Sequence, residues 1–346
     1  MSVDSRQLTI RQVDAAGARE RILAVLGRNL PTAAVPERID WLYRSNPDGA
    51  ALVWLAEDAD GQPVGSSAAF PRRVRVHGRV VRALTLGDFA FDRAYRTLGP
   101  GLRLLRATLE PVKRGEYAFS CDFPSRPMRA IYHRMQGVDL GGMEWWTRPV
   151  APGRRLRHVV RAVTGLGAPT PRGGVAPRRG PCDLEVEPLV GECSGEFDVL
   201  DARLARLGAV VGVRDATYLN WRYLSHTMWP HVILCARRRG CLVGYAVLRP
   251  EQSGTVTLLD LHADVEDGVR QQLAERAVEW VRARGADTIS VEVLAGTATA
   301  RLARAIGFAR RGTGVGPIPF VPPDSSHALT LTQAASWWMM GGDRDI

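Results

Sequence analysis

The sequence is almost without lysine. Lys113 is the only one, so a Lys+Arg total of 46 and a formal net charge of +10 rest on arginine. GC-rich coding produces such a bias, which weakens the charge as an argument for a nucleic-acid partner. Also absent is any apolar run near the roughly 18 residues that a membrane-crossing helix needs, and any charged-then-apolar leader. A cytoplasmic, soluble protein is the expectation. The five cysteines, Cys121, Cys182, Cys193, Cys235 and Cys241, are odd in number and contain no C-x-x-C pair. That argues against a disulfide framework and against zinc, and points to buried thiols. His226 and His231 have no acidic cluster beside them, so no metal is expected there either.

What is present suits two domains. The chain has 346 residues, 45% of them hydrophobic, enough for two cores of about 150 residues each. Between them, 151–181 carries seven arginines (Arg154, Arg155, Arg157, Arg161, Arg172, Arg178, Arg179) and no acid. Rich also in Gly and Pro, it reads as a solvated interdomain linker, with contact to RNA or an anionic membrane as the alternative. The expected division is therefore 1–150, the linker 151–181, and 182–346.

The hexapeptide Arg96-Thr97-Leu98-Gly99-Pro100-Gly101 lies between the strand-like ALTLGDFAF and an amphipathic helix. Leu98, Leu102, Leu105, Leu109 and Val112 recur at spacings of four and three, which predicts one buried helical face beginning near Gly99. Pro100 falls where a first-turn proline is tolerated, and the glycines let backbone approach a ligand. Unpaired N–H groups and the positive end of the helix dipole then favour a phosphate, with Arg96 adding a full charge.

The run GDFAFDRAYRTLGPGLRLL resembles the fourth strand, pyrophosphate loop and third helix of the GNAT superfamily of acyl-CoA N-acyltransferases. The loop pattern is matched throughout. A strand YAFSCDF and a helix SRPMRAIYHRMQGVD follow, similar to the family's closing helix with its tyrosine at Tyr132. Ser125 stands where the family often has Asn. The resemblance implies acetyl-CoA or another acyl-CoA as co-substrate, held by Arg96, Thr97, Leu98, Gly99 and Gly101. It also implies that backbone N–H groups of Phe89, Ala90 and Phe91 bind the pantetheine and polarise the thioester carbonyl.

The two halves repeat in order over about 180 residues. Trp41-x-Tyr43 pairs with Trp221-x-Tyr223, Val64-Gly65 with Val243-Gly244, and Gly137-Val138 with Gly307-Phe308. Hairpins alternate with amphipathic helices, so the expected fold class is α+β: two tandem GNAT-like domains, each a mixed, mostly antiparallel central sheet flanked by helices. The tryptophan pairs Trp145-Trp146 and Trp337-Trp338 read as late strands with packing aromatics. The tail, with Asp343 and Asp345, resembles the ending of GNAT-like proteins associated with polysaccharide biosynthesis. In the second copy the loop becomes ADVEDGVR, whose Asp264, Glu266 and Asp267 repel a pyrophosphate, and Ala303 replaces Tyr132. One acyl-CoA per chain is expected, in the first half.

Acyl transfer to an amine needs a deprotonated nucleophile, donors for the oxyanion and a proton for the leaving thiolate. By resemblance Tyr132 is the general acid. Asp88 is the first candidate base and Asp122 the second, each with a structural alternative as a cap or an arginine partner. His133 should point away from the site. Cys121 has no visible base beside it, which favours direct attack over an acyl-enzyme. The first functional expectation is acetyl transfer to a primary amine of a small molecule, an amino sugar or sugar nucleotide. The alternatives are an aminoacyl-tRNA-dependent transferase of the peptidoglycan-bridge kind and a non-catalytic tandem binding protein.

Overall fold

The computed structural model describes residues 8–150, 184–226, 228–264 and 268–344. The arginine-rich segment 151–181 and the acids Glu266, Asp267 and Asp345 lie outside the described residues. The first half runs β1 (Thr9–Val13), α1 (Arg19–Asn29), α2 (Pro36–Ile39) with a π-helical turn at Asp40–Arg44, then β2 (Leu52–Glu57), β3 (Pro63–Val76) and β4 (Arg79–Phe91). It continues through α3 (Leu98–Lys113), β5 (Ser120–Asp122), α4 (Arg126–Arg134) and β6 (Met143–Pro149).

The second half repeats that order. It runs β7 (Leu184–Pro188), α5 (Gly195–Arg203), a short β8 (Val210–Gly212), α6 (Ala216–Leu219) with a π-helical turn at Asn220–Leu224, β9 (Val232–Arg238), β10 (Cys241–Pro250) and β11 (Thr255–Ala263). Then follow α7 (Val269–Ala283), β12 (Thr288–Leu294), α8 (Ala298–Ala305) and β13 (Ala309–Thr313). Four elements have no counterpart in the first half: β8, β14 (Ile318–Phe320), α9 (Ala328–Leu331) and β15 (Trp337–Trp338). The architecture is the expected α+β one, with two mixed, mostly antiparallel sheets flanked by helices.

Turn chemistry sets the hairpins. His77 and Gly78 join β3 to β4 with φ of 48° and 79°, and Arg239 and Gly240 join β9 to β10 with 51° and 78°. Two successive positive φ values match the right-handed twist of the flanking strands. Gly65 and Gly244 are equivalent for a packing reason. A Cβ on Gly65 would fall 2.5 Å from the Phe91 ring, and one on Gly244 2.5 Å from the Cβ of Ala263. Each lies opposite that residue in the sheet register, at the end of the corresponding strand.

On one face of the first sheet, Leu104, Leu105, Leu109 and Val112 of α3 pack on Leu84 and Leu86. On the other, Ile22, Val25 and Leu26 of α1 and Tyr43 pack on Val53, Leu55 and Phe70. Leu98 departs from the expected buried stripe and is 39% exposed. At the first position of α3 it sits beyond the sheet, at the mouth of the cleft described below.

The sheets exchange strands. Their orders are β1-β2-β3-β4-β5-β14, with β8 and β15 attached beside β3, and β13-β6-β12-β11-β10-β9-β7. So β6, from 1–150, lies antiparallel between β12 and β13 of the second sheet. In return β14 lies antiparallel to β5 of the first. The division expected near residue 150 is therefore a division of the chain and not of the hydrogen-bonding. Trp146 packs in the second core as an aromatic of a late strand should. Trp145, expected to pack as well, is instead 54% exposed because alternate residues of β6 face opposite ways.

Candidate active site

The site begins where two parallel strands part. β4 and β5 pair only at Leu84 with Ser120 and Thr85 with Cys121, after which β4 runs on to Phe91. Its register against β3 slips there: Ser66 faces Ala90 while Ala68 faces Gly87, so Asp88 and Phe89 together oppose Ser67. Asp88 is the bulged residue and has φ of 50°. A bulge of this kind bends the strand and re-aims its backbone.

Asp88 is held by three hydrogen bonds from two side chains. Arg38 donates from Nη1 to Oδ2 at 2.8 Å and from Nη2 to Oδ1 at 3.1 Å, and the Tyr43 hydroxyl donates to Oδ2 at 2.6 Å. Both ion-pair side chains are nearly fully buried. Burial pushes the Tyr43 phenol well above its usual range, and the Asp88 carboxylate adds to that shift, so the hydroxyl remains a donor. The expectation that Asp88 acts as general base meets a physical objection here. Both carboxylate oxygens are committed to a guanidinium that would have to release them before a proton was accepted.

Beyond the bulge, β4, α1, α3 and α4 enclose a cleft of about 470 Å³. Phe89, Ala90 and Phe91 form one wall, Arg96, Thr97, Leu98 and Gly101 a second, and Ser125, Met128 and Ile131 a third. Thr97 precedes α3 in an extended conformation, φ −122° and ψ 166°. The first-turn N–H groups of α3 have no intrahelical acceptor, and Pro100 occupies a position where no donor is lost. Arg96 is fixed beside them: Nε donates to the Phe91 carbonyl at 2.8 Å and Nη2 to Asn29 Oδ1 at 2.8 Å. Gly99 is exposed in the same first turn. A Cβ on Gly101 would lie 2.7 Å from Ile131 Cδ1, so that glycine lets α3 approach α4.

The structure thus gathers Phe89, Ala90, Phe91, Arg96, Thr97, Leu98 and Gly101 on one cleft, with Gly99 beside it. Tyr132 is 1% exposed and packs in the core behind α4, one position beyond Ile131 of the cleft wall. Asp122 is buried at the end of β5, opposite Ile318 of β14. His133 is exposed. Sequence reasoning missed Asn29, whose Nδ2 donates to Asp92 Oδ1 at 2.6 Å while its Oδ1 holds Arg96. No motif marks it, since its partners lie far along the chain.

The second half keeps the same frame and closes it. β11 and β12 pair in parallel from Thr255 with Thr288 to Leu258 with Val291 and then diverge. Asp260 repeats the buried acid: it accepts from Arg214 and Tyr223, and Tyr223 is the counterpart of Tyr43. Burial alone would raise the Asp260 pKa, but Arg214 overrides it and holds the carboxyl well below the usual range. Between the diverging strands lies the chain's own tail. Met340 bridges to Val293, Asp343 pairs with Arg214, and Arg222 donates to the carbonyls of Gly342 at 3.1 Å and Arg344 at 2.7 Å. A Cβ on Gly342 would collide with the Tyr223 hydroxyl, so only glycine fits there.

Comparisons agree with this frame. Residues 24–136 match the family profile described as an acetyltransferase (GNAT) domain. Among solved structures, a probable N-acyltransferase of unknown function from Enterococcus faecalis is 13% identical with a TM-score of 0.65, covering 91% of this chain and 72% of its own. A GCN5-related N-acetyltransferase from Anabaena variabilis gives the same figures. An N-myristoyltransferase from Saccharomyces cerevisiae with bound myristoyl-CoA is 10% identical with a TM-score of 0.56, over 96% of this chain and 89% of its own. At these identities the likeness is one of fold. No curated protein sequence matches the chain. Residues 24–136, which include β4, Arg96 and the start of α3, are thus similar to a GNAT acetyltransferase domain, and the fold of the whole chain is like that of these neighbours.

Proposed function

We propose that the chain transfers an acetyl group from acetyl-CoA to a primary amine of a small molecule, by direct attack, at a single site in its first half. One observation supports this above others: of the two equivalent strand divergences, one opens into a cleft bearing Arg96 and the start of α3, and the other is filled by residues 340–344. The pyrophosphate would meet the first-turn N–H groups of α3 and Arg96. Pantetheine would run along Phe89–Phe91, where strand N–H groups act as donors to the thioester oxygen as it gains charge. The amine attacks the carbonyl carbon, the C–S bond breaks, the Tyr132 hydroxyl gives its proton to the thiolate, and the proton lost by the attacking nitrogen leaves to solvent water, which in turn reprotonates the tyrosinate. Asp88 serves as a positioning residue, since its ion pair with Arg38 holds the bulge that shapes this wall.

The amine is proposed to belong to an amino sugar or sugar nucleotide. The test is calorimetric titration of the full chain with acetyl-CoA. One site per chain is expected, abolished by Gly101→Trp and weakened about tenfold by Arg96→Ala through loss of one charge-assisted contact. A chain that bound no acetyl-CoA would overturn the reading. Tyr132→Phe should retain binding and lose turnover.

A further inference from the structure

We infer that the uncovered part of one face of the second sheet is the acceptor's binding platform and that the acceptor it fits is a saccharide; the assignment as acceptor rests on the acyl-transfer reading above. One face of this sheet is buried under α7 and α8 through Leu258, Ile289, Val291 and Trp146. On the opposite face, α5 and α6 cover β9, β10 and Leu259, and the tail covers the ends of β11 and β12, leaving the stretch around Thr257, Ser290, Glu292 and Trp145 facing a cavity. That cavity has a volume of about 590 Å³. Through Arg249, Thr257 and Glu292 it joins a second one of about 200 Å³, which reaches His226 and Arg344.

The lining is ordered by the register. Arg249 stands opposite Thr257, Thr257 opposite Ser290, and Ser290 opposite Thr147, so one polar row crosses four strands. Thr257 Oγ1 and Ser290 Oγ are 3.0 Å apart, and the Thr257 hydroxyl donates to Glu251 at 2.6 Å. In the neighbouring row Trp145 stands between Glu292 and Gly312. A Cβ on Gly312 would meet nothing within 4 Å, so the space beside the exposed Trp145 is open. A half-exposed indole beside a row of hydroxyls and carboxylates suits a pyranose, whose C–H faces stack on an aromatic ring while its hydroxyls pair with donors and acceptors. A simple polyamine would use the carboxylates and leave the indole and the hydroxyl row unused. Glu292 receives Arg344 Nη1 at 2.7 and 2.9 Å and keeps lone pairs for an ammonium.

A second observation points to a ligand. His226 Nδ1 accepts from the N–H groups of Met228 and Trp229 at 3.1 Å, which places the proton of the neutral ring on Nε2. That Nε2 is buried and has no partner among the described residues. A buried donor in a cavity wall is normally met by ligand or water. The cavity also approaches the acyl-CoA half. The His226 ring lies 4.4 Å from Trp41, on the turn that carries Tyr43, and the Arg344 guanidinium lies 5.6 Å from the ring of Phe123, which follows β5.

The experiment is saturation-transfer NMR and calorimetry on the full chain without CoA. The probes are glucosamine, its β-1,4-linked dimer, glucose, and 1,6-diaminohexane as a non-sugar amine. The saccharides should bind, and Trp145→Ala should weaken them about tenfold by removing the stacking surface, with Trp145→Phe restoring part. Acetyl-CoA binding and the melting temperature should be unchanged in both variants. Absence of saccharide binding, binding of the diamine alone, or saccharide binding indifferent to Trp145→Ala would overturn the inference while leaving acyl transfer intact. Saccharide binding by a chain that took no acetyl-CoA would keep the platform and remove the acyl-transfer reading.

Discussion

Trp41 and Trp221 stack face to face with ring centroids 4.9 Å apart, and each indole donates to the other's carbonyl, at 2.9 and 3.1 Å. They lie on the two equivalent π-helical turns, 180 residues apart, so the contact is close to a twofold. Trp41→Ala should cost about 3 kcal/mol of unfolding free energy, as for other buried tryptophans. In a double-mutant cycle with Trp221→Ala the pair should couple by about 1 kcal/mol. Denaturant titration measures both, and additive losses would show that the stack contributes no more than its burial.

The Arg38–Asp88 pair predicts an asymmetry between substitutions. Arg38→Met strands a buried carboxylate and should destabilise the chain by about 3–5 kcal/mol. Asp88→Gly together with Arg38→Met removes both charges and suits the positive φ, so it should recover part of that loss. If Asp88 positions the bulge and takes no proton, the double variant should lose acetyl-CoA affinity while its remaining activity keeps the pH profile of the parent. A profile that lost its acidic limb would return Asp88 to the role of base.

The tail makes a prediction about stoichiometry. Gly342→Val forces a branched side chain against the Tyr223 hydroxyl and Asp260, and should destabilise by about 1–3 kcal/mol as an overpacked site. Removing 337–346 takes Asp343 from Arg214 and β15 from β8, so a larger loss is expected. Acetyl-CoA stoichiometry should stay at one, because Ala303 and Asp264 remain in the second copy. A second site appearing on truncation would show that the tail alone had closed it.

Two histidines give a pH dependence. Burial lowers His226 to about 3, with His231 beside it adding to the shift, and burial lowers His231 to about 4. Both folded values lie below the unfolded value near 6.5, so the unfolded chain takes up protons first as pH falls. Their contribution is full above about pH 6.5 and is lost progressively towards pH 4. Melting temperatures from pH 7 to 4 should therefore fall less steeply for His226→Asn/His231→Gln than for the parent. Equal slopes would assign the acid sensitivity to carboxylates alone.

Much of the frame is legible in the sequence because it is carried by particular residue types. The Trp-x-Tyr pairs build the facing turns, Gly65 and Gly244 are required by what lies across from them, and Arg239-Gly240 makes its hairpin. The cleft residues from Phe89 to Gly101 are near neighbours, so their common location follows from one strand and one helix start. Asp88 is different. Its partners Arg38 and Tyr43 are about fifty residues upstream, and nothing local separates a catalytic carboxylate from a buried counter-ion. The strand exchange is equally silent, since β6 pairs with β12 and β13, and β14 with β5, all segments well over a hundred residues away along the chain. Trp337-Trp338 reads as a strand, but its parallel pairing with β8 depends on a segment more than a hundred residues earlier.

The exchange of β6 and β14 means that the two halves are interlocked in a way the peptide linkage between them does not supply. If the chain were cut between residues 150 and 184, each fragment would still hold a strand inside the other's sheet, and the Trp41 stack and the Arg73–Asp215 ion pair at 2.6 Å would still join them. The nicked protein should therefore run as one particle, and the fragments, co-expressed, should reassemble as a split enzyme. Either fragment alone would present an unpaired sheet edge, so each is obliged to find the other before it is a protein at all.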